Sequence, residues 1–127
     1  MSSLLSYLTE KRSLLADNYE ANCLTIARDI ARLLIDSGNQ PFIACLHKET
    51  VRPGYRFHHP LIPKKYYGSI TWTKHYVCCC EGVVYDPMLE EPVGIEQYSR
   101  AAFGEDFPLE SFVPKEAMEG YMGRYSF

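Results

Sequence analysis

Residues 75–86 of the chain read HYVCCCEGVVYD, and this stretch predicts a β-hairpin. Residues 69–80 and 83–86 are predicted as its two strands because they are rich in β-branched, aromatic and other apolar side chains. Glu81-Gly82 lies between them and predicts a tight two-residue turn. An antiparallel pair of strands is therefore the first predicted element of the fold.

The turn also fixes which residues of the two strands face each other. A two-residue turn at this position opposes Cys79 to Val84 and Val77 to Asp86. Side chains alternate along a strand, so His75 lies on the same face as Val77 and is a diagonal neighbour of Asp86. The sequence thus predicts an imidazole beside a carboxylate that can orient it and stabilise its protonated form.

An amphipathic helix is predicted over residues 23–36, where apolar side chains recur at steps of three and four. Asn22 is the predicted N-cap and Gly38 the predicted C-terminal stop, so that the helix begins at Cys23. The unpaired N–H groups and positive dipole of a first helical turn favour a thiolate and can stabilise an oxyanion. Cys23 is therefore the candidate nucleophile, and His75 is its candidate general base. The alternative for Cys23 is a small buried core residue.

The rest of the chain predicts a single α+β domain over residues 1–127. Helices are expected over residues 4–15 and 95–103, and a buried strand over residues 41–46. Residues 50–70 are expected to form a loop because they contain three prolines and two glycines. The predicted architecture is N-terminal helices packed on a small antiparallel sheet.

Composition excludes several classes of protein. Hydrophobic residues make up 46% of the 127 residues and charged residues 23%, which excludes a disordered chain. The sequence contains no apolar run of the roughly 20 residues that a membrane-spanning helix needs. It also begins without the basic and apolar regions of a signal peptide. Five cysteines, three of them consecutive, indicate a reducing compartment and a cytoplasmic location.

Charge is unevenly distributed along the chain. Residues 48–75 carry a net charge of +5, whereas residues 81–127 carry −7. The basic segment also holds aromatic residues, so it could contact an anionic partner. The alternative is a solvent-exposed connecting segment whose aromatic residues fold back on the core. Nucleic-acid binding is disfavoured because the net charge is −3 and no recognition module is present. The basic residues singled out in this segment are Arg52, Arg56, Lys64 and Lys65.

No cofactor and no metal are predicted. Cys78-Cys79-Cys80 lacks C-x-x-C spacing, and alternation sends its members to opposite faces of the strand. A zinc site that combines them with His58 or His59 is therefore disfavoured against buried strand cysteines. Motifs for a serine hydrolase, a phosphate-binding loop, a zinc peptidase or a dinucleotide fold are missing from the sequence.

Four short pieces of sequence together resemble a known group. They are Asn22-Cys23 with small residues behind it, WTKHYV at 72–77, EGVVYDP at 81–87 and GIEQY at 94–98. In this order they resemble the papain-like cysteine peptidase superfamily, and most of all its small bacterial branch of papain-fold toxin domains and effector peptidases and deamidases. The resemblance implies a papain-like core and a Cys23–His75–Asp86 triad.

The resemblance also implies an activity, which is acyl transfer through a thioester on a protein or peptide substrate, with Trp72 as a substrate-binding residue. Hydrolysis of a peptide or isopeptide bond is the first expectation. Deamidation or transamidation of glutamine, or an inactive papain-like binding module, are the alternatives. Papain-like enzymes often place an oxyanion-binding glutamine a few residues before the nucleophile; here Asn18 and Asn22 are the candidates, and the sequence does not choose between them. Delivery as an effector by a non-classical route is a further alternative to a purely cytoplasmic location.

Overall fold

The computed structural model describes residues 2–14, 19–59, 61, 63–64, 74–106 and 109–124. A 3-10 turn over Lys115–Ala117 precedes the last helix. The helices and strands are, in chain order, α1 (Ser2–Leu14), α2 (Tyr19–Asp36), β1 (Phe42–Leu46), β2 (Lys48–Arg52), β3 (Tyr55–His59), β4 (His75–Cys80), β5 (Val83–Tyr85), β6 (Val93–Gly94), α3 (Ile95–Phe103), β7 (Glu110–Val113) and α4 (Met118–Gly123).

Five of the strands form an antiparallel sheet in the order β6-β5-β4-β1-β7. Strands β2 and β3 pair with each other as a separate two-stranded sheet. Helix α2 packs across β4, and α1 packs on α2. The prediction of an α+β domain built from helices on an antiparallel sheet is thereby confirmed at the level of fold class. No helix in the described part of the chain has the length and apolar character to cross a bilayer.

The core lies between α2 and the two central strands. Strands β1 and β4 are nearly continuous apolar runs, as expected for strands with a neighbour on each side and packing on both faces. Residues 30, 31 and 34 of α2 are at most 1% exposed, so the apolar stripe predicted from their spacing faces this core. The predicted C-terminal stop is also confirmed, since α2 ends at Asp36 and Gly38 has φ 88°.

The β4–β5 hairpin has the predicted register. Cys79 pairs with Val84, and Cys80 pairs with Val83 directly beside the turn. Glu81 and Gly82 both have positive φ angles, 52° and 79°, which define the type I′ turn that suits the twist of a two-residue hairpin. The carbonyl of Gly82 also accepts a hydrogen bond of 3.0 Å from the N–H of Ile95, so the turn is tied to the start of α3.

Helix α2 begins earlier than predicted. It starts at Tyr19, and Cys23 is its fifth residue rather than its first. Asn22 is therefore inside the helix and is not its N-cap. The N–H of Cys23 falls within the i to i−4 ladder of the helix, so the argument from unpaired first-turn N–H groups does not apply to this cysteine.

Part of the predicted loop over residues 50–70 is instead a β-hairpin. Strands β2 and β3 flank Pro53-Gly54, with Arg52 opposite Tyr55. Proline followed by a glycine at φ 90° is the pattern of a type II turn, and the neighbouring β-branched and aromatic residues extend from it. Pro53 and Gly54 thus form a turn between two strands. The C-terminal elements β7 and α4 were not predicted either.

Candidate active site

The structure brings His75 and Asp86 together as the hairpin register predicts. His75 is the first residue of β4, and Asp86 directly follows β5. The Nε2 atom of His75 lies 2.8 Å from Oδ2 of Asp86, and both side chains are completely buried. A buried histidine and a buried carboxylate in direct contact form a charge-assisted pair, which is stronger than a bond between neutral groups.

Asp86 has two further hydrogen-bond donors. The backbone N–H of Met88 donates to Oδ1 over 2.9 Å, and the hydroxyl of Tyr98 donates to Oδ2. Burying a carboxylate is costly unless hydrogen bonds replace its water shell. Together with His75, these donors supply that replacement, so the carboxylate is held in one orientation inside the core.

Cys23 lies close enough to His75 for its thiol to raise the pKa of the ring. The residue is only 3% exposed. Because Nε2 of His75 contacts Asp86, the nitrogen that remains for the sulfur is Nδ1. In the neutral ring Nε2 carries the proton and donates it to Asp86, which leaves Nδ1 as an acceptor for the proton of the thiol. The order of groups is thus thiol, imidazole and carboxylate.

The surroundings of His75 shift its proton affinity. Burial alone lowers the pKa of the ring, because it disfavours the charged form. The negative charge and hydrogen bond of Asp86, with the hydrogen bond and charge of Cys23, outweigh burial and raise the pKa of His75 to about 9. The ring is therefore cationic near neutral pH.

Helix α3 contributes two side chains that the sequence did not identify. Tyr98 is fully buried and holds Asp86, and the ring of Phe103 packs edge-on against His75 with centroids 6.0 Å apart. The sequence carried a signal for Tyr98, because a phenol on the apolar face of an amphipathic helix needs a buried partner for its hydroxyl. It gave no means of deciding which partner that would be.

The candidate oxyanion and substrate-binding residues are placed only in part. Asn22 is exposed on α2, one residue before Cys23. Asn18 and Trp72 lie outside the described residues.

The basic segment is likewise described in part: Arg52, Lys64 and Lys74 are exposed. Lys65 and the side chain of Arg56 fall outside the description.

The three consecutive cysteines belong to the core. Cys78, Cys79 and Cys80 are at most 3% exposed, and burial is the main cause that raises the pKa of each thiol. All five cysteines lie in the described part of the chain, and none of them forms a disulfide. Among all the residues that the structure describes, no group of three or more histidine, cysteine, aspartate or glutamate side chains is arranged to hold a metal ion.

Comparison with known proteins adds no relative to this picture: no protein-family model, no curated protein and no solved structure matches the chain.

Proposed function

We propose that the chain is a cysteine-dependent acyl-transfer enzyme with a Cys23–His75–Asp86 triad on a papain-like core. One observation carries the proposal: the His75 ring is hydrogen-bonded to Asp86 through Nε2 at 2.8 Å, and the Cys23 thiol lies close enough to the same ring to raise its pKa. A nucleophile, a base and a group that orients the base are the three parts that acyl transfer through a covalent intermediate requires.

The proposed reaction has two stages. Nδ1 of the cationic His75 ring holds a proton, and the Cys23 sulfur attacks the carbonyl carbon of the substrate as a thiolate. The C–N bond then breaks, and His75 gives this proton to the leaving nitrogen, which leaves a thioester on Cys23. In the second stage His75 takes a proton from water, hydroxide adds to the thioester carbonyl, and the free thiol is restored as the carboxylic acid leaves. Asp86 keeps the ring in one orientation and stabilises its cationic form.

The first proposed substrate is a peptide or isopeptide bond in a protein. Glutamine deamidation is the second candidate, and the burial of Cys23 favours it. A sulfur that is only 3% exposed is more accessible to a slender group such as a glutamine side chain than to a polypeptide in the middle of its length. Both reactions pass through the same thioester and differ in whether an amine or ammonia leaves.

We place the enzyme in the cytoplasm, since its cysteines carry no disulfide.

The test begins with the thiol. The wild-type protein and the variants Cys23→Ala and His75→Ala are treated with iodoacetamide between pH 5 and 8, and the modified cysteine is identified by mass spectrometry. We expect rapid modification of Cys23 in the wild type and slow modification in His75→Ala. Equal rates in these two proteins across the whole range would contradict the triad and favour the binding module.

The substrate is then assigned by its product. Wild type and Cys23→Ala are incubated with a mixed peptide library and with isopeptide-linked peptides. A Cys23-dependent new amino terminus or released lysine side chain supports hydrolysis. A Cys23-dependent mass increase of about 1 Da at glutamine, with release of ammonia, supports deamidation and rejects the first candidate.

A further inference from the structure

The N-terminal helix reaches the segment that carries Asp86. Arg12, in the last turn of α1, donates from Nε to the carbonyl of Pro87 over 3.1 Å. Its Nη2 atom donates to the carbonyls of Leu89 and Glu90 over 2.6 and 3.0 Å. One guanidinium therefore gathers three backbone carbonyls from the four residues that follow Asp86.

The same four residues are tied to Asp86 from within. Besides the bond from Met88 N–H to the Asp86 side chain, the N–H of Leu89 donates to the Asp86 carbonyl over 3.0 Å. Residues 86–90 thus form a turn that is bonded on two sides. Two of its N–H groups, those of Met88 and Leu89, donate to Asp86. Three of its carbonyls accept from Arg12. A shift of this turn would carry the Asp86 carboxylate with it and change its contact with His75.

Asp86 and Arg12 also line one small cavity between α1 and this turn, with a volume of about 100 Å³. The side chains of Leu5, Leu8 and Thr9 form its α1 wall. Around this space α1 and the turn are not close-packed, so the two elements share fewer van der Waals contacts there. The hydrogen bonds of Arg12 are directional and join α1 to the turn beside this cavity.

We propose that Arg12 is a positioning residue of the triad, which holds Asp86 against His75 by anchoring the turn 86–90 to α1. The inference rests on the proposed function and adds α1 to the elements that the site requires. Arginine suits this role because its planar guanidinium presents several donors in a fixed fork, whereas lysine presents one compact ammonium group.

The test compares two substitutions of neighbouring residues on α1, Arg12→Met and Lys11→Met. Lys11 is a matched control because its ammonium lies 5.4 Å from the ring of Tyr7 and is a contact of α1 itself. Each variant is alkylated with iodoacetamide from pH 5 to 9 at a temperature where circular dichroism shows it to be folded. A third variant, Arg12→Lys, tests whether charge without the fork is enough.

We expect Arg12→Met to slow alkylation of Cys23 at pH 7 by about tenfold or more, as a small misplacement of a catalytic group does. Its pH profile should move toward that of Asp86→Asn, a reference variant that removes the carboxylate and is measured in parallel. Arg12→Lys should restore only a minor part of the rate. Amide exchange should accelerate in residues 88–91 of Arg12→Met. Lys11→Met should stay within about twofold of the wild type.

Three outcomes separate the failure of this inference from failure of the proposed function. If Arg12→Met melts at a lower temperature but keeps the wild-type pH profile while folded, Arg12 is a purely structural residue and the inference is wrong. If Arg12→Met does not fold, the Arg12→Lys profile decides: a wild-type profile overturns the inference, and one displaced toward Asp86→Asn supports it. If the wild type itself shows no His75-dependent reactivity of Cys23, the proposed function is wrong and the inference falls with it.

Discussion

Cys23 and Cys79 are two buried thiols in very different surroundings. Cys23 is 3% exposed and Cys79 is 0% exposed, so their contact with solvent is nearly the same. Burial, together with the charges of Cys80 and Asp86, raises the pKa of Cys79 to about 12, which keeps it a neutral core residue. Cys23 lies beside the ring of His75 and contributes to its raised pKa. The comparison teaches that the neighbour of a buried thiol, more than its depth, determines whether it is equipped for chemistry.

The strongest test of this comparison removes each thiol in turn. Cys23→Ala should abolish turnover, because no other described group stands next to His75 as a nucleophile. Cys79→Ala should retain turnover and lose about 1 kcal/mol or more of unfolding free energy, since it leaves a small cavity in the core. Turnover and urea denaturation of both variants provide the measurement. Loss of activity in Cys79→Ala while it remains folded would break the comparison.

The next test removes the charge that sets His75 apart. Asp86→Asn should lower turnover by about 10²–10⁴-fold, because the ring loses the group that orients it and stabilises its cation. The pKa of His75 should fall from about 9, since the carboxylate is a main cause of its rise. The residual rate should then decline at a lower pH on the alkaline side than in the wild type. The pH profile of acylation gives the result, and an unmoved alkaline limb would speak against the pair.

The free energy of unfolding should also depend on the protonation of His75. A raised pKa of His75 in the folded protein contributes stability that is fully present below its ordinary value of 6.5 and is lost as the pH rises toward about 9. We therefore expect the difference in unfolding free energy between wild type and His75→Gln to shrink across this window. Urea denaturation at pH 6, 7, 8 and 9 measures it. A difference that grows with pH would have the wrong sign for a histidine bound to a carboxylate.

The smallest predicted effect concerns Tyr98. Tyr98→Phe keeps the packing of α3 and removes one donor to Asp86, so it should cost about 1–3 kcal/mol of unfolding free energy. Phe103→Leu, also on α3, provides a comparison that changes packing beside His75 without changing the hydrogen bonds of Asp86. We expect Tyr98→Phe to shift the pH profile of Cys23 alkylation and Phe103→Leu to leave it in place. Identical profiles would remove Tyr98 from the site.

The hairpin at the centre of the site could be predicted because its geometry is local. Glu81-Gly82 and the two-residue period of a strand are enough to place His75 beside Asp86, and both can be seen in adjacent sequence. The start of α2 could not be predicted as well, because asparagine is a favoured N-cap residue by local preference, whereas here the helix begins at Tyr19 and continues through Asn22. The β2–β3 hairpin could not be predicted because proline and glycine are typical of loops as well as of turns between strands.

The supporting residues of the site depend on contacts that local sequence does not encode. Arg12 meets its acceptors across more than 70 residues of chain, and Tyr98 meets Asp86 through the packing of α3. A helix pattern shows that such side chains exist and which face of the helix carries them. Which partner each one meets is set by how the helices dock on the sheet, and no motif of the sequence reports that docking.

The turn at Glu81-Gly82 has a consequence for how this protein can change by mutation. Both residues are exposed, and a side chain added at Gly82 would meet nothing within 4 Å, so the position has the outward features of a permissive surface tip. Its φ of 79° nevertheless imposes a conformational cost of about 1–2 kcal/mol on any residue with a Cβ. Deleting Gly82 would force a new turn, shift the strand pairing by one and send Asp86 to the opposite face of the sheet from His75. In a mutational scan this turn should therefore tolerate substitutions at Glu81 far better than insertions or deletions. A change of turn length should also disturb the start of α3, because the N–H of Ile95 donates to the Gly82 carbonyl.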